Sequence, residues 1–264
     1  MNNNSVLLVE SLNEFTALIT LNRPDRRNAL SLGLMQALCA ELETLAADPV
    51  RRIVLLRGAG AVFCSGMDLH EASNPEAAEQ SANMVAKTFG TLLDSNLVTI
   101  AVAQGAAFAG GAGLMACCDF AVASPDLRIG FPEVRRGLVP ALVAAVTRDR
   151  LSVTAQRELF LLAEPISADR ALAIGLIHRI APANSLLQDA QSLAASILKG
   201  GPEAVRQTRK WLQLVRTTER SQLMNRALLF HKQAKNADEV REGVTAFQER
   251  REPDWSACRS DGEL

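Results

Sequence analysis

The stretch Val98-Thr99-Ile100-Ala101-Val102-Ala103-Gln104-Gly105-Ala106-Ala107-Phe108-Ala109-Gly110-Gly111-Ala112-Gly113-Leu114-Met115-Ala116-Cys117-Cys118 changes character twice. Its first six residues are aliphatic and partly β-branched, its middle is punctuated by glycine, and its end is small and apolar. The length and apolarity raise the question of a membrane span. Gln104, four glycines and acidic rather than basic flanks answer it differently, predicting a buried strand, a loop and a buried helix.

Working outward, the same order occurs upstream. The aliphatic run Ile53 to Leu56 leads into Gly58-Ala59-Gly60-Ala61-Val62-Phe63-Cys64-Ser65-Gly66-Met67-Asp68-Leu69, a second glycine-bearing loop that enters a helix. Gly66 and Gly111 stand about 45 residues apart, the spacing of a repeated supersecondary unit. Before it, Val6 to Val9 and Phe15 to Leu21 read as paired strands joined at Ser11-Leu12-Asn13. Ser31 suits the N-cap of a helix through Ala46, with Leu34, Leu38, Leu42 and Leu45 on one stripe. Alternating strands and helices predict an α/β class. The polar segment Asn74 to Ala82 reads as a mobile flap. Beyond Ser152 the pattern is mostly helical, and Lys199-Gly200-Gly201-Pro202 marks a boundary between residues 1–200 and 201–264.

Composition narrows the partners. The 264 residues are 48% hydrophobic and 22% charged, which fits one globular domain with a small appendage. With 28 Lys+Arg against 29 Asp+Glu, no broad positive field exists to hold a polyanion, and 4% aromatics without tyrosine leave few stacking platforms. Nucleic acid is therefore not the expected partner, and neither is a membrane. Cys39, Cys64, Cys117, Cys118 and Cys258 are odd in number and lack metal-ligand spacing, as in a reducing compartment. The polar start Met1 to Ser5 has no signal-peptide character, so a cytoplasmic location is expected. His70, His178 and His231 are too scattered for a metal site, and no P-loop or dinucleotide fingerprint is present.

Loops that run into helix N-termini offer unpaired backbone N–H groups, and two facing loops of this kind make a site for developing negative charge. Small residues at Gly66 and Gly110-Gly111 let backbone approach a ligand oxygen. Cys64 and Ser65 lie beside the first loop, but no motif supplies either with a base, which argues against a nucleophilic hydrolase.

Phe63-Cys64-Ser65-Gly66-Met67-Asp68-Leu69, Gly105 through Asp119, and Gly130-Phe131-Pro132-Glu133 together resemble the signature of the enoyl-CoA hydratase/isomerase (crotonase) superfamily. Leu21-Asn22-Arg23-Pro24, Asn28-Ala29-Leu30, Arg241-Glu242-Gly243 and Ala246-Phe247 resemble it too, in order and over nearly the whole chain. The resemblance implies a crotonase-like spiral of repeated ββα units, with a C-terminal α-helical region that builds homotrimers or dimers of trimers. It also implies acyl-CoA thioester substrates, with coenzyme A arriving as part of the substrate and no separate cofactor. By matching position, the N–H groups of Met67 and Gly110 would hold the thioester oxygen. Arg26, Arg27 and Arg250 would meet the nucleotide phosphates, with Phe247 beside the adenine or pantetheine. Ala29, Gly66, Asp68, Leu69, Gly111 and Gly113 complete the implied substrate contacts, Asp68 as a local hydrogen-bond acceptor rather than a catalyst.

The family's hydratases commonly carry two glutamates. Here the second is Glu133 and the first position is Gly113. An apolar setting of Phe131 and Leu138 to Pro140 would raise the Glu133 pKa into a range useful for proton transfer; a salt bridge to Arg135 or Arg136 is the alternative for this side chain. A single carboxylate suits a Δ3,Δ2-enoyl-CoA isomerase, which needs one proton shuttle. Gly113-Leu114 with Glu133 through Ala141 resembles the branch that contains bacterial 3-methylglutaconyl-CoA-type hydratases, and the expectation is accordingly a hydratase, with isomerase as the alternative. A weakly catalytic thioester binder or an RNA-binding member is a third reading; Arg206, Arg209, Lys210, Arg216 and Arg220 are the only basic cluster that would serve it.

Overall fold

In the computed structural model, residues 5–68, 70–71, 74–234 and 238–258 are described. Two compact units divide after Ala194. In the first, β1 (Leu7–Ser11) pairs antiparallel with β2 (Thr16–Leu21). Helix α1 (Leu32–Ala47) starts where the Ser31 side chain accepts a hydrogen bond from the Leu34 N–H, and its stripe Leu34, Leu38, Leu42 and Leu45 is buried. Strand β3 (Ile53–Gly58), helix α2 (Pro75–Asp94) and strand β4 (Val98–Ala103) follow. Strands β2 and β4 bury every residue, as expected for parallel strands covered on both faces.

The stretch from Leu97 to Cys118 resolves into β4, the short β5 (Ala106–Phe108) and α3 (Gly110–Cys117). Then come β6 (Phe120–Ala123), β7 (Arg128–Gly130), a short 3-10 helix (Glu133–Arg136), α4 (Ala141–Thr147) and α5 (Val153–Arg157). A π-helical turn (Glu158–Leu162), β8 (Ile166–Ser167), α6 (Ala168–Ala173) and β9 (Arg179–Ile180) lead to α7 (Leu186–Leu198).

The main sheet has the order β1-β2-β3-β4-β6-β9 and is parallel from β2 onward. A second layer, β5-β7-β8, is extended by single parallel bridges, Leu30 to Met67 and Cys64 to Ala107. After each long strand the chain thus turns and adds a short extended piece to the second layer, which is the spiral of ββα units in physical form. The layers enclose an apolar core that includes Ile19, Leu34, Leu56, Phe63, Leu114 and Phe131.

Asn74 to Ala82 is not a flap. Asn74 caps α2 by accepting from the Ala77 N–H, Pro75 occupies the first turn, and Val85, Phe89 and Leu92 anchor the same helix in the core. A segment poor in aliphatics is carried as helix by the apolar half that follows it.

The second unit contains α8 (Pro202–Thr217), α9 (Arg220–Ala234) and α10 (Asp238–Glu249). Glu239 accepts hydrogen bonds from the Glu203 and Ala204 N–H groups, capping α8 with a carboxylate where the helix dipole favours it. Helices α8 and α9 bury no side chain among the described residues.

Candidate active site

Backbone register brings the two glycine loops together. Cys64 donates its N–H to Ala106 O at 3.1 Å and accepts from Phe108 N at 3.0 Å, so Cys64 and Ala107 are partners in parallel pairing. Three residues further along each strand stand Met67 and Gly110. A Cβ added to Gly110 would lie 3.8 Å from Met67 N. Leu30 bonds to the residues flanking Met67: its N–H reaches Gly66 O at 2.8 Å, and its carbonyl receives Asp68 N at 3.1 Å. In a parallel bridge this pattern turns the N–H of the middle residue to the opposite edge. Gly110 opens α3, so its N–H has no intrahelical acceptor. The two amides can jointly receive one ligand oxygen.

The support around them is polar and closed. Arg23 binds Asp68 at 2.9 Å and Ala29 O at 2.6 Å. Burial pushes the Asp68 carboxyl up, but hydrogen bonds from Arg23 and the His70 N–H outweigh it and hold Asp68 below its usual range. Asn28 is fully buried and binds Arg23 N, Ala59 O and Val62 O, and Gln104 binds Gly58 O and Gly60 O, tying the first loop to its neighbours. Gly66 adopts φ +95, and a Cβ there would meet Phe108 O at 2.8 Å. Burial raises the Cys64 thiol to about 12, which removes it as a nucleophile.

Glu133 begins the 3-10 helix Glu133–Arg136, which Gly137 ends at φ +72. Its Oε2 is buried and has no hydrogen-bond partner among the described residues. Burial raises the carboxyl pKa, partly offset by its own backbone N–H and the charge of Arg136. Among the described residues, neither neighbouring arginine forms an ion pair with it. Arg135 turns away to Leu162 O at 2.9 Å and lies 3.7 Å from Glu164. A half-buried carboxyl with an orphaned oxygen is a group suited to exchanging protons with a bound molecule.

A cavity of about 660 Å³ unites these elements, lined by Arg26, Arg27, Ala29, Met67, Asp68, Gly110 and Glu133 among the residues expected from sequence. Gly66, Gly111 and Gly113 are not in the lining. They serve packing: a Cβ on Gly111 would meet Cys64 O at 2.3 Å, and one on Gly113 would meet Phe89 Cζ at 2.5 Å. Phe131 also differs from expectation, stacking edge-on against Phe160 at 5.0 Å inside the core, while Leu138 to Pro140 do line the cavity. Leu69 lies outside the described residues. Phe247 and Arg250 belong to the second unit, where Phe247 is 85% exposed. Ala78, Ala82 and Val85, which the motifs do not single out one by one, also line the cavity from α2. Their four- and three-residue spacing marks one helix face and was the available signal.

Residues 12–258 match the family model described as enoyl-CoA hydratase/isomerase. The chain belongs to the enoyl-CoA hydratase/isomerase family. An enoyl-CoA hydratase of Mycobacterium tuberculosis is 32% identical over 250 residues, covering 91% of this chain and 92% of that protein. The 2,3-dehydroadipyl-CoA hydratase of Escherichia coli is 29% identical over 255 residues, covering 94% and 98%. Among solved structures, an enoyl-CoA hydratase from Bacillus anthracis superposes with a TM-score of 0.91 at 27% identity, over 95% of this chain and 98% of that one. The fold is therefore that of the crotonase superfamily, with the helical C-terminal region present. An acyl-CoA substrate is consistent with this family. Among the described residues, no helix is long and apolar enough to cross a membrane, and no group of three or more His, Cys, Asp or Glu is placed to hold a metal ion.

Proposed function

We propose that this family member is an enoyl-CoA hydratase in which the Met67 and Gly110 amides hold the thioester oxygen and Glu133 is the general acid and base. The observation that carries the reading is the orphaned, half-buried Glu133 carboxyl in the same cavity as two adjacent free amides. As a carboxylate, Glu133 takes a proton from water while the water oxygen bonds to C3 of the 2-enoyl group. The π electrons pass to C2 and onto the thioester oxygen, giving an enolate whose charge the two amides stabilise. Glu133, now protonated, returns that proton to C2, so one water is added and the carboxylate is regenerated. Losing one such oxyanion donor typically costs about 3 kcal/mol of transition-state stabilisation. The substrate needs no separate cofactor, because coenzyme A is part of it, and Arg26 and Arg27 at the cavity supply cations for its phosphates.

One observation favours isomerisation as the second reading. The other lining carboxylates are Asp25, which is exposed beside Arg26, and Asp68, which is committed to Arg23, so Glu133 is the one half-buried, unpaired carboxyl among the described lining residues. Removal of a C2 proton from a 3-enoyl thioester and its return to C4 requires one base. Parallel assays of 2-enoyl-CoA hydration and 3-enoyl-CoA isomerisation separate the two: hydration as the dominant activity supports the proposal, and isomerisation without hydration replaces it.

The reading includes a homotrimer or a dimer of trimers in the cytoplasm. Leu212, Met224, Leu228, Leu229 and Phe247 are exposed on helices that bury little, a pattern that further copies of the chain would cover. Sedimentation velocity tests it, with a trimer or hexamer expected and a monomer contradicting it.

A further inference from the structure

The cations of the cavity come from separate segments. Arg26 and Arg27 lie on and just after the 3-10 turn Pro24–Arg26, whereas Arg136 ends the 3-10 helix that Glu133 begins. Residues three apart on a 3-10 helix eclipse one another, so Glu133 and Arg136 project from one face, about 6 Å apart along the axis. Arg136 has no ion pair or hydrogen bond to any described residue, and it is the cation whose field reaches the Glu133 carboxyl. Beside it the wall is aliphatic, built from Leu138, Val139, Leu142 and Val143. A free guanidinium beside such a wall gives little to a neutral acyl chain and suits a carboxylate, which it can bind through two parallel hydrogen bonds.

We propose that Arg136 selects short enoyl thioesters whose acyl chain ends in a carboxylate, holding that carboxylate while Glu133 works on the double bond. This rests on the acyl-CoA reading of the site. The separation along the helix suits a chain in which only a few carbons divide the reacting double bond from the terminal charge. A discriminating cation of this kind rejects the neutral analogue because the guanidinium would then be partly desolvated without a partner.

The test uses calorimetric binding of two saturated thioesters that do not turn over, adipyl-CoA and hexanoyl-CoA, to the intact protein and to Arg136→Leu and Arg136→Lys. The parent is expected to bind adipyl-CoA at least tenfold more tightly. The ratio falls to near one in Arg136→Leu and stays above one in Arg136→Lys. Equal affinities in the parent, or a preference that survives Arg136→Leu, overturn the assignment of Arg136 while leaving the acyl-CoA reading standing. Failure of both thioesters to bind overturns that reading and the assignment together.

Discussion

The ring of Phe89 holds the space into which a side chain on Gly113 would project. A Cβ built on Gly113 lies 2.5 Å from Phe89 Cζ and 2.9 Å from Val143 Cγ1, and Phe89 and Val143 are both buried. The position at which the resemblance places a first glutamate is thus filled from α2 and α4, and the reduction to one glutamate is built into the packing of three helices. Within a helix, alanine is intrinsically better than glycine by up to about 1 kcal/mol. Overpacking should win here, making Gly113→Ala less stable by roughly 1–3 kcal/mol. Chemical denaturation would measure it, and most of the loss should disappear in a Phe89→Leu background.

Ala109 presents the opposite case. It precedes α3 with φ 48 and ψ −123, a conformation natural to glycine. Holding an L-residue there costs on the order of 1–3 kcal/mol, while glycine adds roughly 0.5–1 kcal/mol of unfolded-state entropy. Ala109→Gly is expected to raise stability by about 1 kcal/mol in the same denaturation assay, and to leave the Gly110 amide in place.

The Arg23–Asp68 pair should dominate the acid response of the first loop. Asp68 is depressed in the folded protein, so its contribution to stability is present above its unfolded value of about 3.8 and is lost as pH falls through the lower folded value. Arg23→Ala strands a buried carboxylate and should cost roughly 3–5 kcal/mol near neutral pH. Thermal unfolding of the variant across pH would show the deficit narrowing toward acid, where Asp68 becomes protonated.

Arg135 should act through Glu133. Its bond to Leu162 O and the Phe131–Phe160 contact fasten both sides of the segment that carries the carboxyl. Arg135→Ala is expected to lower kcat by roughly ten- to a hundredfold with a smaller change in KM, because misplacing a catalytic group by an ångström has effects of that order. Partial recovery in Arg135→Lys, and a shifted pH profile in the alanine variant, would distinguish positioning from a general loss of structure.

Glu133 carries a stability signature as well. Its folded pKa is raised, so ionising it opposes folding above the unfolded value and has no effect well below it. Glu133→Gln should therefore be more stable than the parent at neutral pH and equal to it in acid. In the parent, kcat/KM should rise with pH through an apparent pKa above the ordinary glutamate value of about 4.3, since the carboxylate is the active form.

Much of the fold around this candidate site is legible in the sequence. The alternation of Val98–Ala103 with a glycine loop and a small apolar helix is local, and local pattern is what a sequence reports directly. Ser31 as a cap and the Leu34 stripe were legible for the same reason. The helix over Asn74 to Ala82 is not legible locally, because burial of Val85, Phe89 and Leu92 further along stabilises it, a tertiary effect. Gly66 and Gly111 are readable as close-approach positions, but whether a ligand or Phe108 and Cys64 approaches them is decided by residues far away in sequence. Arg136 looked like a salt-bridge partner for Glu133; only the cavity distinguishes its setting from that of Arg135, one position earlier.

The most direct test of the account is the steady-state hydration of a 2-enoyl-CoA by the purified protein and its Glu133→Gln variant, with isomerisation of the matched 3-enoyl-CoA followed in parallel. The account predicts hydration as the main activity of the parent and a loss of roughly 10²–10⁴-fold in kcat for the variant, the usual effect of removing a general acid–base group. Full hydration by Glu133→Gln would contradict it.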